Sequence, residues 1–329
     1  MQTLEGHSES VTSVAFAGNG QLLASGSHDN TIKLWDAATG ALKYTLEGHS
    51  DWVYSIAFAG DGQLLASGSR DNTIKLWDTV TGALKHTLKS YSDWVYSVAF
   101  ADDGQLLASG SDDNTIKLWN ATTGTLKYTL EGHSDSVTSV AFAGDGQLLA
   151  SGSYDNTIKL WNTVTGALKH TLKSHFGWIT SVAFAGDSQL LASGSYDNTI
   201  KLWDTATGAL KHTLESHSDS VTSVAFTGDG QLLASGSYDN TIKLWDTTTG
   251  ALKHTLEGHS DEVYSVAFAG DGQLLASASL DSIIKLWDTA TGALKHDIST
   301  GNVATDELLI SETAMKASQL PPRRWQRYL

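Results

Sequence analysis

The chain has 329 residues, a formal charge of -15, 40% hydrophobic residues and no cysteine. Its acidic balance excludes a sequence-independent phosphate binder, which needs clustered Lys and Arg to displace counterions, so nucleic acid is not an expected partner. The lack of cysteine excludes a disulfide framework and a thiolate metal site. With no signal-type core and no run of eighteen apolar residues, a soluble, cytoplasmic chain away from membranes is expected.

The chain opens on QTLEGH (residues 2–7), which matches Tyr44 to His49 and reads as the end of a preceding repeat, so a piece cut from a longer array is expected. The first full unit then offers four short extended segments, Val11 to Phe16, Gln21 to Ser27, Thr31 to Trp35 and Ala41 to Leu46. Gly18-Asn19-Gly20, His28-Asp29-Asn30 and Thr39-Gly40 separate them, residues that tolerate positive φ or bond their own backbone. Segments this short, β-branched and often broken cannot nucleate a helix.

The first three segments are apolar on both sides of a two-residue period, which suits strands buried on both faces. In the fourth, Leu42, Tyr44 and Leu46 alternate with Lys43 and Thr45, the pattern of an outer strand whose lysine discourages edge pairing. This unit recurs with its tryptophan at Trp35, Trp77, Trp119, Trp161, Trp203, Trp245 and Trp287, every interval being 42 residues. A fixed period makes one body of the array, and stacking such sheets radially buries each against its neighbours, so an all-β, seven-bladed β-propeller over residues 1–298 is expected. Ala293 to Ile298 is the expected closing strand, with Met1 to Leu4 as its competitor. From Ser299 the period fails, and residues 299–329 read as a disordered tail or an eroded repeat. The tail holds four basic and three acidic residues, which leaves -15 minus 1, or -16, on the body.

The patterns LxGHxxxVxSVAF and ASGSxDNTIKLWD resemble the WD repeat in every unit, from about Leu4 to Ile298. Units this alike are most similar to the WD arrays of fungal incompatibility and innate-immunity proteins of the NACHT/STAND type, where the array lies behind a nucleotide-binding switch.

His133, Ser151, Asp155 and Trp161 recur in nearly every unit and invite a catalytic reading. A nucleophile needs an accessible oxygen beside an anion-stabilising pocket, and an active site repeated seven times has no rationale. The resemblance instead implies a structural tetrad in which the indole, hydroxyl, imidazole and carboxylate share hydrogen bonds inside the blade. Unit three carries Tyr91 for the histidine, which implies an incomplete tetrad and a weaker blade. Ser90, Ser174 and Ser216 replace the preceding glycine, which strains that turn if it needs positive φ. The histidines come one per unit, so no metal site is expected, and no GxxxxGK[ST] loop or other cofactor motif is present.

The informative residues are those that vary while QLLAS and IKLW stay fixed. One position reads Ser10, Trp52, Trp94, Ser136, Trp178, Ser220 and Glu262; a second, two residues on, reads Thr12, Tyr54, Tyr96, Thr138, Thr180, Thr222 and Tyr264. The third reads His28, Arg70, Asp112, Tyr154, Tyr196, Tyr238 and Leu280. In the WD fold all three border the top face. Trp, Tyr and Arg are the side chains that most often anchor interfaces. Trp52, Tyr54, Arg70, Trp94 and Tyr96 are expected to form one patch, with Trp178, Tyr154, Tyr196 and Tyr238 across the ring; Asp112, Glu262 and Tyr264 complete the candidate set.

A tryptophan that merely filled a gap between blades would leave that gap empty where serine stands. The expected function is therefore a non-catalytic module that binds a protein or peptide on its top face, as a monomer and as the sensor part of a larger protein. The alternative is a constitutive scaffold subunit, which would also carry large apolar patches on its sides or base.

Overall fold

The computed structural model describes residues 6–299 apart from 19, 38, 90, 271 and 282, and omits the side chains of 296–299. They form seven four-stranded antiparallel sheets, each made of four consecutive strands. In the first blade these are β1 (Val11–Phe16), β2 (Leu22–Ser27), β3 (Ile32–Asp36) and β4 (Leu42–Leu46). The order β1-β2-β3-β4 follows from turns too short for any crossover. The β2–β3 turn is tightest. Its Asn30 takes φ 68°, and the equivalent Asn72, Asn114, Asn156, Asn198 and Asn240 lie between 64° and 69°, a region asparagine tolerates better than other side chains.

Blades pack face to face, and the core lies in the layers between them. Between blades four and five, Ala150, Ile158, Leu160 and Leu172 meet Ile179, Val182, Leu191 and Trp203, all nearly or fully buried. The serine of six of the seven first strands ties neighbours together: Ser139 Oγ accepts the Val182 amide at 3.0 Å, and Ser13, Ser55, Ser97, Ser181 and Ser223 act likewise.

The last blade comprises β25 (Val263–Phe268), β26 (Leu274–Ser279), β27 (Ile283–Asp288) and β28 (Leu294–Ser299). β28 pairs with β27, so the blade is completed by its own fourth strand, as expected for Ala293 to Ile298. The competing segment, Met1 to Leu4, and the tail after Ser299 lie outside the described residues. The ring closes where β25 and β26 meet β1, with Ala278 and Ile284 against Val11, Val14, Leu23 and Trp35.

This closing seam differs from the other six. Elsewhere a glycine faces the next blade, and a methyl there would lie 2.5–2.9 Å from a valine or isoleucine methyl, as at Gly152 against Ile179. Ala278 carries that methyl. Leu286, whose equivalents are all 0% exposed, is here only half-buried, beside a cleft of about 180 Å³ lined by Phe16, Leu23, Trp35 and Leu274. Among the described residues, Ser265 makes no bond to the Val14 amide. One methyl of overpacking costs about 1–3 kcal/mol, more than the roughly 0.5–1 kcal/mol entropic cost of a strand glycine. Ala278→Gly is therefore expected to raise the urea midpoint, and Gly152→Ala to lower it.

Candidate functional site

The tetrads are built as the spacing implies. In blade four, Trp161 Nε1 donates to Ser151 Oγ at 2.9 Å, and Ser151 Oγ lies 2.8 Å from His133 Nε2. His133 Nδ1 lies 2.8 Å from Asp155 Oδ2. Indole can only donate and carboxylate only accept, so the directions are fixed: Ser151 donates to Nε2, and the Nδ1 hydrogen goes to Asp155. Ser134 and Thr157 saturate the carboxylate further. The same chain of bonds holds Trp35, Trp77, Trp203, Trp245 and Trp287. The serine is fully buried and already engaged on both sides, which leaves no attacking oxygen.

Burial pushes the Asp155 carboxyl up, but hydrogen bonds from His133, Thr157 and the Ser134 amide outweigh it and hold it far below the usual range. Asp29, Asp71, Asp197 and Asp239 behave alike, and Asp281 is also lowered. A depressed folded-state pKa contributes stability above the unfolded value, near 4, that is lost as pH falls through and below it. Six such groups act together, so the urea midpoint is expected to drop steeply once the pH passes below about 4. A midpoint unchanged to pH 3 would contradict the assignment.

Blade three departs, though differently from a simple vacancy. Tyr91 Oη bonds Ser109 Oγ at 2.5 Å and the Ser109 carbonyl at 2.7 Å, while Trp119 keeps its serine bond. Asp113, deprived of a histidine, is met by Lys117 at 3.6 Å, whose ammonium also sits 3.9 Å from the Tyr91 ring. Lys33, Lys75, Lys159, Lys201 and Lys243 reach instead to a fourth-strand threonine, as Lys159 does to Thr171. The tetrad is rewired. Nor is the preceding turn strained: Ser174 and Ser216 keep negative φ, so that position does not require glycine. Ser90 lies outside the described residues.

The three variable positions converge on one face, and backbone geometry shows why. In each blade the amide of the third position donates to the carbonyl of the first, as Arg70 does to Trp52 at 2.9 Å and Tyr154 to Ser136 at 3.0 Å. The second position is the residue skipped in the register between first and second strands, Tyr54 lying between the pairs Val53↔Ser69 and Ser55↔Gly68. A bulge of this kind re-aims a side chain that the pleat would otherwise fix.

In four blades the third-position side chain leans on the first position of the next blade. His28 stacks on Trp52 with centroids 4.0 Å apart, and Tyr154 on Trp178 at 4.5 Å. Arg70 is sandwiched, its guanidinium 4.6 Å from the Trp52 ring and 4.4 Å from that of Trp94. Asp112 accepts a short hydrogen bond from Ser136. Tyr54 and Tyr96 lie 5.3 Å apart, Tyr96 and Tyr154 6.4 Å, and the chain runs on through Trp178, Tyr196 and Tyr238 to Tyr264, which bonds Glu262.

The expected patch and the set across the ring are thus one belt, from His28 round to Tyr264, interrupted at the closing seam by Leu280, Ser10 and Thr12. Its side chains are half-buried against one another, less free than isolated surface anchors. Burial lifts the Tyr54 phenol to about 12 and raises those of Tyr96, Tyr154, Tyr196, Tyr238 and Tyr264, so all stay protonated at neutral pH. Burial and Arg70 lower His28 to about 4, which keeps its stacked ring uncharged at neutral pH.

Two further residues belong to this face. Phe176, where most units have serine, is 93% exposed just before Trp178. His28 varies at the third position yet was not singled out as an anchor, because only the stack on the next blade gives it that role.

A family model described as "WD domain, G-beta repeat" matches residues 1–36, 40–78, 82–120, 124–162, 166–204, 208–246 and 250–288, each match after the first running from the fourth strand of one blade through the first three of the next. The chain belongs to the WD-repeat family. Propellers of this family are generally non-catalytic and bind proteins or peptides. Among curated proteins, the chain is 67% identical over 39 residues to the "Vegetative incompatibility protein HET-E-1" of Podospora anserina. It is 60% identical over 38 residues to "Protein Mut11" of Chlamydomonas reinhardtii. Each stretch is 12% of this chain and spans only 3% and 10% of those proteins, so the shared feature is a single repeat length.

Proposed function

We propose that this chain is a non-catalytic recognition module that binds a protein or peptide on the top face of the propeller. The observation that carries the reading is the belt itself. Residues at the positions least fixed by the fold are filled with Trp, Tyr and Arg over adjacent blades, in contact and open on one side. Such side chains bury large area with few rotors and keep polar tips for orientation.

The sides of the ring fit this reading better than that of a constitutive scaffold. Large exposed apolar residues there are single leucines, one per outer strand from Leu42 to Leu294, each 41–46% exposed. Scattered residues of that kind are ordinary protein surface. The likeness to the incompatibility protein supports a narrower role, the sensor region of a larger fungal-type signalling protein; a cytoplasmic monomer is part of the same proposal. The test is retention of a partner from cell extract by this chain and its loss in the triple Trp52→Ser, Trp94→Ser, Trp178→Ser variant. Equal retention by both would overturn the reading.

A further inference from the structure

The belt holds one cation of its own, Arg70 between two indoles, with Asp51 Oδ2 3.8 Å from its Nε. One blade further round stands a carboxylate in similar surroundings without a cation. Asp112 replaces the aromatic or basic side chains that most units carry at this position. It accepts from Ser136 and interacts with the Tyr96 hydroxyl. Among the described residues no Lys, Arg or His pairs with it.

Its charged neighbours are acids. Asp93 and Asp135 flank it, each already capping the next backbone amide, at Trp94 and Ser136. Tyr96 and Tyr154 lie within reach of its charge, and their rings contact each other and those of Trp94 and Trp178. A half-buried carboxylate among acids is held there at a cost, and burial followed by Asp93 and Asp135 makes it harder to ionise. Ser136 needs only a neutral acceptor, which asparagine would supply, so the charge is not explained by packing.

We infer that Asp112, with Tyr96 and Tyr154, is a seat for a cationic side chain of the partner, so that the top face selects a peptide presenting an arginine or lysine. Carboxylate and aromatic faces attract a cation through charge-assisted hydrogen bonding and the ring quadrupole, as the belt's own arginine illustrates. Phe176 adds an exposed apolar contact beyond Trp178. This specificity rests on the top-face reading above.

The test uses the full chain, immobilised, and two pools of random nonapeptides that differ only at the central residue, arginine in one and its neutral isostere citrulline in the other. The arginine pool is expected to be retained about tenfold better, a preference that weakens with salt. Asp112→Asn should reduce it to within about twofold while shifting the melting temperature by no more than about 2 °C, since the acceptor for Ser136 remains. Asp61→Asn, which removes one charge from the opposite face, should leave the preference intact.

Equal retention of both pools, no retention of either, or a preference that survives Asp112→Asn would overturn the seat. The Trp52→Ser, Trp94→Ser variant separates the two readings. If it loses peptides that the parent chain retains without charge preference, the top face binds and the cation seat is wrong. If it retains everything, both fall.

Discussion

Replacing Trp161 by alanine is expected to lower the free energy of unfolding by about 3–5 kcal/mol, the range for removing a fully packed tryptophan. Trp161 is 2% exposed and packs with Ala108, Ile116, Leu118 and Leu149 in the layer between blades three and four, so its loss opens a cavity in an interface that holds two blades. The indole also donates to Ser151, so the substitution removes the first link of the tetrad. Asp155→Ala should act through the other end. It orphans the buried His133 ring, at about 1–3 kcal/mol, and also removes the partner of the part-buried Thr157 hydroxyl and of the exposed Ser134 amide.

Urea denaturation of both variants checks this. Their effects should not add, because a chained network fails as a unit, and a double variant should lose less than the sum. Wild-type stability in either variant would show that the tetrad is decoration. Tyr91→His is the informative companion: it restores the common pattern in blade three but displaces Lys117 from the ring it stacks on.

Changing Trp52 and Trp94 together to serine should separate binding from folding in the opposite way. Both positions carry serine in other blades of this ring, at Ser10, Ser136 and Ser220, and those blades keep the same strands and register. What is lost is the sandwich around Arg70, the stack with His28 and the contacts with the Tyr54 and Tyr96 rings, about 2–3 kcal/mol in all, several degrees of melting temperature for a chain of this size. Partner retention should instead be abolished, since aromatic anchors dominate interface energetics. A large fall in melting temperature would identify the two indoles as packing residues.

Strand order and blade count were legible because the repeat states each seven times, and tetrad membership from the likeness to the WD repeat, in every unit but the third. The face carrying the variable residues was also legible, from the likeness to the WD fold. Contacts between blades were not. The sequence places His28 and Trp52, or Asp112 and Ser136, 24 residues apart, an offset that recurs in each unit without saying that the two touch, and only the packing of neighbouring blades sets the third position of one on the first of the next. Tyr91 signals only a missing histidine in the sequence, whereas Lys117, two residues before Trp119, turns toward Asp113 only once the strands are paired.

The closing seam is the same lesson in reverse. The change from ASGS to ASAS at Ala278 was visible in the sequence, yet it carries no meaning until the Cβ is seen to face Val11. Local physics, the two-residue alternation, turn chemistry and fixed period, determined by itself that the chain makes seven like sheets that must bury both faces. Tertiary structure alone decided which side chains meet across them, because neighbours in adjacent blades are set by the radial packing of whole sheets, and that turned scattered variable residues into one aromatic belt.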